Sequence, residues 1–368
     1  MKRFFLANCL CPTWLRLGLC ALLFLAGCAP TVKERPRFFW PPDAGSEKIE
    51  YIDFYQADTD VRRKANTWVA DALLGTTQPQ PVFTRPQAIA SDGKGRVFIA
   101  DSAASRIYVY DFVQFKVRTL QKPDNSNAPL QLPMGVALDA GGQVYVSDSK
   151  ANKIFIFGPD EKLRGAFSHP QLQRPTGLTV DAKRQRLYVT DTGAHQVLVF
   201  SLRGELLQTL GKRGAGEGEF NFPLDVGVDD QGELFVLDSL NARVQVFDSE
   251  GRYLRQFGER GTALGSFQIP KSLAVSPSGL VYVTDAQANR FVVFSRQGEY
   301  LITIGALATV VDGRVTPGGF AMPNGIDVDA NESIWVADSM NRMFHRFQYL
   351  SEAYLREHPI LPGQAFQP

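Results

Sequence analysis

"FVLDSLNARVQVFDSEGRYLRQFG", Phe235–Gly258, decides the fold, because the chain writes it more than once. An earlier stretch reads "YVTDTGAHQVLVFSLRGELLQTLG", Tyr188–Gly211, and a later one "YVTDAQANRFVVFSRQGEYLITIG", Tyr282–Gly305. Each holds three short β-rich runs separated by turn residues. Just upstream of each lies a proline and a small-sided run. Aligned on that proline, six copies appear, at Pro86, Pro133, Pro175, Pro223, Pro270 and Pro323, spaced by 47, 42, 48, 47 and 53 residues. A period in the forties built from short strands means propeller blades and excludes a helical solenoid.

Each unit parses into four strands. The first is short and small-sided, as in "GLTVD". A turn rich in Asp, Gly, Lys or Ser follows. The second strand alternates around Val, Tyr, Phe and Trp, a tight loop leads to a third such as "RVQVF", and an "xxG" turn to a fourth. The expected fold is all-β, a six-bladed β-propeller of four-stranded blades.

These residues carry a resemblance. The unit resembles the NHL repeat, with its proline, small or glycine position, aliphatic run and "YVxD", then Asn and Arg before the third strand. The likeness covers about 83–347. The copies at Gln131 and Asn221 are the clearest, whereas Gln196 and Met343 replace the usual Arg in the third and sixth copies.

The sixth unit has three strands only, and the residues after Leu350 supply no fourth. An unfilled outer edge is a liability. "EKIEYIDFYQ", Glu47–Gln56, is β-branched and aromatic and precedes the first unit. It is expected to complete the last blade near Met343–Tyr349 and so close the ring. Residues 58–75 read as one short amphipathic helix, capped by Thr59 or Asp60, with Val61, Ala65, Trp68, Val69 and Ala72 on the face that packs against the propeller. The propeller is thus assigned to 47–350 and a C-terminal tail to 351–368.

The leader is a second signal. Lys2 and Arg3 precede an apolar run, Leu17–Gly27, too short to span a bilayer but suited to a secretory signal peptide. It ends in "LAGC", which resembles the bacterial lipobox. That implies cleavage after residue 27 and acylation of Cys28, with 28–46 a tether and the acyl groups a stable anchor. Ala29, not Asp, follows the cysteine, which implies the outer membrane. Cys9, Cys11 and Cys20 leave with the leader, so no internal disulfide or cysteine metal site is expected. Without Lys2, Arg3 and Arg16, 36 basic and 38 acidic residues remain. That balance excludes a basic nucleic-acid footprint. A monomeric propeller with a protein partner in the envelope is expected.

Six aspartates end the second strands: Asp101, Asp148, Asp191, Asp238, Asp285 and Asp338. Each can accept backbone N–H bonds at its tight loop, and Arg106, Lys153, Arg243 and Arg290 stand five places on. A role repeated in every blade is structural. Departures from the repeat are more informative. Asp225, Lys271, Asn324 and Asp327 are polar where the pattern asks for small residues or is indifferent, and all sit where inner strands meet the central channel. They are candidate ligand-binding residues at its mouth. The blander expectation is an Asp225–Lys271 pair between adjacent blades, exposed enough that losing it costs no more than about 1 kcal/mol.

The resemblance also reaches enzymes. Amidating-lyase and virginiamycin-lyase-like propellers use His and metal around the channel, and gluconolactonase-like ones use acids and Asn around calcium or zinc. Here His169, His195, His345 and His358 occupy unrelated places in the repeat, none in a first strand. The expected function is a binding or scaffolding module with no cofactor. The alternative is a lyase or lactonase-like hydrolase with a divalent metal near Asp225 and Asp327.

Overall fold

A strand buried on both faces must be apolar at every position, and a strand with one free face alternates. Both patterns occur within each blade. The second strands Val144–Asp148, Leu234–Asp238 and Val281–Asp285 are buried at every residue. The fourth strands Leu163–Phe167 and Tyr253–Phe257 alternate along their length. Inner strands therefore lie between neighbouring blades, and outer strands face solvent.

The computed structural model describes residues 37–42, 45–46, 48–62, 81–308, 315–360 and 365–366. The molecule is a six-bladed β-propeller. Five blades are four-stranded antiparallel sheets in sequence order, and the sixth has six strands. The innermost strands are Pro86–Ser91, Pro133–Leu138, Pro175–Asp181, Pro223–Val228, Pro270–Val275 and Pro323–Val328, in blades one to six. Every one starts at its repeat proline. Apolar cores fill the joints between blades. Tyr282, Phe291, Phe320, Val336 and Phe347 pack between blades five and six.

Blade six is built from both ends of the chain, as the missing strand requires. Strand β2, Ile49–Tyr55, runs antiparallel to Met343–Tyr349, from Ile49 opposite Tyr349 to Tyr55 opposite Phe344. Tyr55 stacks on Phe344 with ring centroids 4.9 Å apart. It also joins the cluster of Phe83, Val97, Tyr110 and Trp335 that seals blade six against blade one. Tyr110 Oη donates to the Ala57 carbonyl at 3.1 Å, just past the end of β2. In the third strand, His345 stands 3.3 Å from Tyr51 Oη and 3.4 Å from Asp338 Oδ2.

Two boundaries need correction. Residues 28–46 are not all tether, because β1, Arg37–Trp40, pairs antiparallel with β2. Phe39 is 1% exposed, and Arg37 donates to both Glu50 carboxylate oxygens at 2.7 and 2.8 Å. The C-terminal tail is also structured. Ser351 caps a helix over Glu352–Glu357, and Ala365–Phe366 pairs parallel with Arg37 and Phe38. Of the helix expected over 58–75, Asp58–Arg62 forms a 3-10 helix. Asp60 Oδ2 accepts the N–H groups of Gln56 and Ala57, at 2.7 and 2.9 Å, holding the turn out of β2. Ala65, Trp68, Val69 and Ala72 lie outside the described residues.

These pairings make truncation informative. A chain beginning at residue 57 lacks β2, exposes the edge of blade six and is expected to aggregate or lose its cooperative melt. One beginning at residue 46 lacks only β1 and should stay folded with a lower midpoint, because the Phe39 side chain and the Arg37–Glu50 contact are gone. Circular dichroism melts separate the two. Equal midpoints in both and in the longer chain would mean that the two-ended blade does not lock the ring.

Candidate functional site

The six repeat aspartates are sealed. All are fully buried. Asp101 accepts from the backbone N–H groups of Thr84, Arg85, Ala103 and Ala104. Asp148 and Asp191 accept the matching four in their blades. In blades four and six an Asn side chain, Asn241 or Asn341, donates to the Asp at 2.8 Å. Arg243 approaches Asp238 at 2.9 Å and Arg290 approaches Asp285 at 3.9 Å. Arg106 and Lys153 begin their strands exposed. In every blade but the fifth the carboxylate thus pins the residues just before the blade proline to the loop after its own strand.

Just past the Asp of blades two, three, four and six stands a further tie. The hydroxyls of Ser149, Thr192, Ser239 and Ser339 donate to the proline carbonyl of the next blade, at Pro175, Pro223, Pro270 and Pro86. Blade five has Ala286 here. Its joint is held instead by Thr284 Oγ1, which donates to the Asn324 carbonyl at 2.5 Å.

The inner strands enclose an axial cavity of about 350 Å³. Asp225, Lys271, Asn324 and Asp327 all line it, together with Arg174 and small or aliphatic residues from every blade. The expected Asp225–Lys271 pair does not form. Asp225 Oδ1 accepts from Val226 N at 2.9 Å, and Oδ2 accepts from Ser272 Oγ and from Leu273 N at 3.1 Å. Ser272 Oγ also accepts from Ile326 N at 3.2 Å, so the tie runs through three blades. Room for Asp225 comes from Gly177 in the preceding blade, where a Cβ would lie 2.0 Å from Asp225 Oδ1. Lys271 takes no part in this network, and its amine has no ion pair or hydrogen bond among the described residues.

Asp327 makes a similar tie at the closing joint. Its Oδ2 accepts from Ser91 N at 2.7 Å, in blade one. Nearby, Asp329 accepts from Ser91 Oγ and Trp335 Nε1, both at 3.0 Å. Asn324 donates to Ser339 Oγ at 2.6 Å, so its side chain is also engaged. Sequence reasoning missed Ser91, Ser272 and Gly177. A hint existed, since Ser272 occupies the same repeat position as Asp225, one blade on.

Although Asp225 and Asp327 touch the channel, protein surrounds them. Burial raises Asp225 to about 6, against the bonds from Ser272, Val226 and Leu273, and raises Asp327 to about 7, with Asp329 adding to the rise. Burial alone lowers the Lys271 amine. The metal of related propellers does not fit this donor set. The Asp225 oxygens already accept three donors, and the described residues hold no group of three His, Cys, Asp or Glu placed to share an ion. The histidines are dispersed. His169 caps the turn at Gln171, His195 accepts from Phe222 N, His345 is in blade six, and His358 stacks on Tyr354. The Gly-rich link of 211–220 forms a parallel bridge from Arg213 to Phe220, repeated at Arg260 and Phe267 in the next link. It is an inter-blade connection.

Comparison with known proteins agrees with this architecture. The family described as SMP-30/Gluconolactonase/LRE-like region matches residues 83–193, and the NHL repeat matches 220–247. These matches fall on the first three blades and on the fourth blade of the six-bladed propeller. No curated protein matches it by sequence. Among solved structures, virginiamycin B lyase from Staphylococcus aureus is 16% identical with a TM-score of 0.53, over 73% of this chain and 96% of that one. A structural genomics protein of unknown function from Bacteroides thetaiotaomicron is 15% identical with a TM-score of 0.58, over 73% and 70%. An auxiliary nutrient binding protein from the same organism is 14% identical with a TM-score of 0.55, over 73% and 70%. At these identities the likeness is one of fold.

The half-buried acids at the channel set a pH dependence. Their pKa values are raised from 3.8, so the stabilisation from protonating them in the fold is complete below 3.8. It is lost as pH rises through about 6 for Asp225 and about 7 for Asp327. Acids held low, such as Asp111 and Glu233, act below this window. The melting midpoint should therefore fall between about pH 5 and about pH 8, and Asp327→Asn should flatten the slope. A flat wild-type profile would contradict the burial argument. Asp225→Gly should cost about 1–3 kcal/mol by denaturant unfolding, because Leu273 N and Ser272 Oγ lose their acceptor.

Proposed function

We propose that the protein is a lipid-anchored component of the bacterial envelope whose propeller acts as a binding or scaffolding module at the mouth face. One observation carries the binding half. The channel acids are engaged in ties between blades, while the loops at the mouth end of blades four to six carry exposed apolar side chains. These are Leu240, Leu264, Leu307, Met322 and Met340. Exposed apolar groups gathered at one end of a fold mark a surface for another molecule. The anchoring half rests on "LAGC" at the end of the leader's apolar run, which lies outside the described residues.

A second reading is a lyase or lactonase-like hydrolase. Asp225 and Asp327 favour it, because a carboxyl raised toward neutrality inside a cavity is where general acid–base chemistry is found. The structural neighbours named above include both a lyase and a nutrient-binding protein, and fold alone does not choose between them. Metal analysis of the purified protein discriminates. The binding reading expects no stoichiometric ion. Stoichiometric calcium or zinc that disappears in Asp225→Ala and Asp327→Ala would decide for the enzyme.

For the anchor, Cys28→Ser should abolish labelling by a radioactive fatty acid and move the protein out of the membrane fraction, with the outer membrane as its wild-type location. Unlabelled wild-type protein that stays in the membrane fraction equally well with either residue would refute acylation at Cys28.

A further inference from the structure

Beside the axial cavity, over the joint of blades five and six, lies a second hollow of about 510 Å³, within the range of small-molecule sites. Its lining is Ile269, Lys271, Ala286, Gln287, Asn289, Leu307, Ala321, Met322 and Met340. No acid lines it, and the one charged lining residue is Lys271. Three of its apolar walls are open to solvent, with Leu307 at 70%, Met340 at 65% and Met322 at 45%. Asn289, the nearest amide, is engaged, since its Oδ1 accepts from Met322 N at 2.9 Å and its Nδ2 donates to the Gln287 carbonyl. Among the lining side chains, the Lys271 amine is the one cationic donor.

That amine lines both hollows. The acid expected to neutralise it, Asp225, has turned to Ser272 and Leu273 instead. A half-buried ammonium without a counter-charge is costly, and burial pulls it below the ordinary lysine range. An incoming anion would remove that penalty. An incoming cation would add to it, because no acidic side chain lines the groove. The methionines suit an aliphatic chain, being unbranched, polarizable and able to repack around different shapes.

We propose that this groove binds a small apolar carboxylate, its acid on Lys271 and its chain against Leu307, Met322 and Met340. The proposal deepens the reading of the mouth face as a binding face and rests on it. Charge complementarity selects the head group and the three exposed side chains select the tail.

Decanoate is a suitable probe, used below its micellar concentration with the chain from residue 28 onward, unacylated, and with decylamine and acetate as controls. Binding is followed by calorimetry and by NMR of methionine methyl groups. That chain has four methionines, Met134, Met322, Met340 and Met343. Decanoate should bind and move the Met322 and Met340 signals, leaving that of the buried Met343 in place. Acetate and decylamine should bind far more weakly. Lys271→Gln should weaken decanoate by about tenfold or more, since a charge-assisted bond is lost. Met340→Asp should weaken it further, with an unchanged melt in both variants as the control for folding. Equal binding of decylamine, or no effect of Lys271→Gln, overturns the proposal. A shift confined to Met134 also overturns it, because that residue lines the axial cavity. That last result would leave the mouth face a binding face with a different site, whereas no binding of any probe overturns the proposed groove ligand without touching the anchor.

Discussion

Six sheets can converge on one axis only if their inner strands carry almost nothing there. This steric limit governs the molecule. A Cβ at Gly135 would sit 2.4 Å from the Thr176 carbonyl, and one at Gly325 would sit 2.7 Å from the Ala88 Cα. The strands pass so close that backbone meets backbone. Polar groups then have few places to go, and every blade solves this in the same way. A buried aspartate gathers the N–H groups at the entry to the inner strand, and in most blades a hydroxyl just past it donates to the next blade's proline carbonyl. The repeat is thus a unit of hydrogen-bond satisfaction as much as a unit of packing.

A ring of such wedges still has one joint that the chain cannot make by running on. Blade six carries it, and the load there is heavier than elsewhere. Strand β2 supplies the missing backbone partners, Tyr55 fills the joint to blade one, and Ser91 donates to both Asp327 and Asp329. Strand β1 and the C-terminal strand then lie outside β2. This moves the free edge outward to a two-residue strand, and a short edge strand offers little for another chain to pair with.

Much of this was legible in one dimension because its causes are periodic. Prolines at regular intervals, the aspartate ending each second strand and the absent fourth strand after Tyr349 each repeat, or conspicuously fail to repeat. What escaped is what depends on direction. Asp225 and Lys271 are 46 positions apart and begin adjacent inner strands, which suggested a pair. The choice between Lys271 and Ser272 is a matter of which way the strand faces, and alternation of side chains puts Ser272 toward Asp225. Strand β1 was hidden by its setting, since Pro36, Pro41 and Pro42 around "RFFW" read as tether. The lateral groove was hidden because its walls come from separate loops whose residues are individually ordinary.

Departures from the repeat gather on one side of the ring. Asp225 belongs to blade four, Lys271 and Ser272 to blade five, Asn324 and Asp327 to blade six, and the exposed methionines to blade six as well. At the residue before the proline, blades one and three carry Arg85 and Arg174, whereas blades four to six carry Phe222, Ile269 and Met322. Blade two carries Leu132 there, so the apolar residues run unbroken only over blades four to six. The joint of blades five and six lies in that run and is tied deeply, by Thr284 to the Asn324 carbonyl and by Ile326 N to Ser272. With these ties deep in the joint, the loops outside it are held mainly through backbone atoms, as in the bonds from Met322 N to Asn289 and from Asn341 to the Ala308 carbonyl. Side chains there can be large, apolar and exposed without weakening the ring, and Lys271, the one cation lining the groove, keeps its charge uncompensated because Asp225 serves the blades instead. A repeat that satisfies itself internally thus frees its irregular residues to meet another molecule.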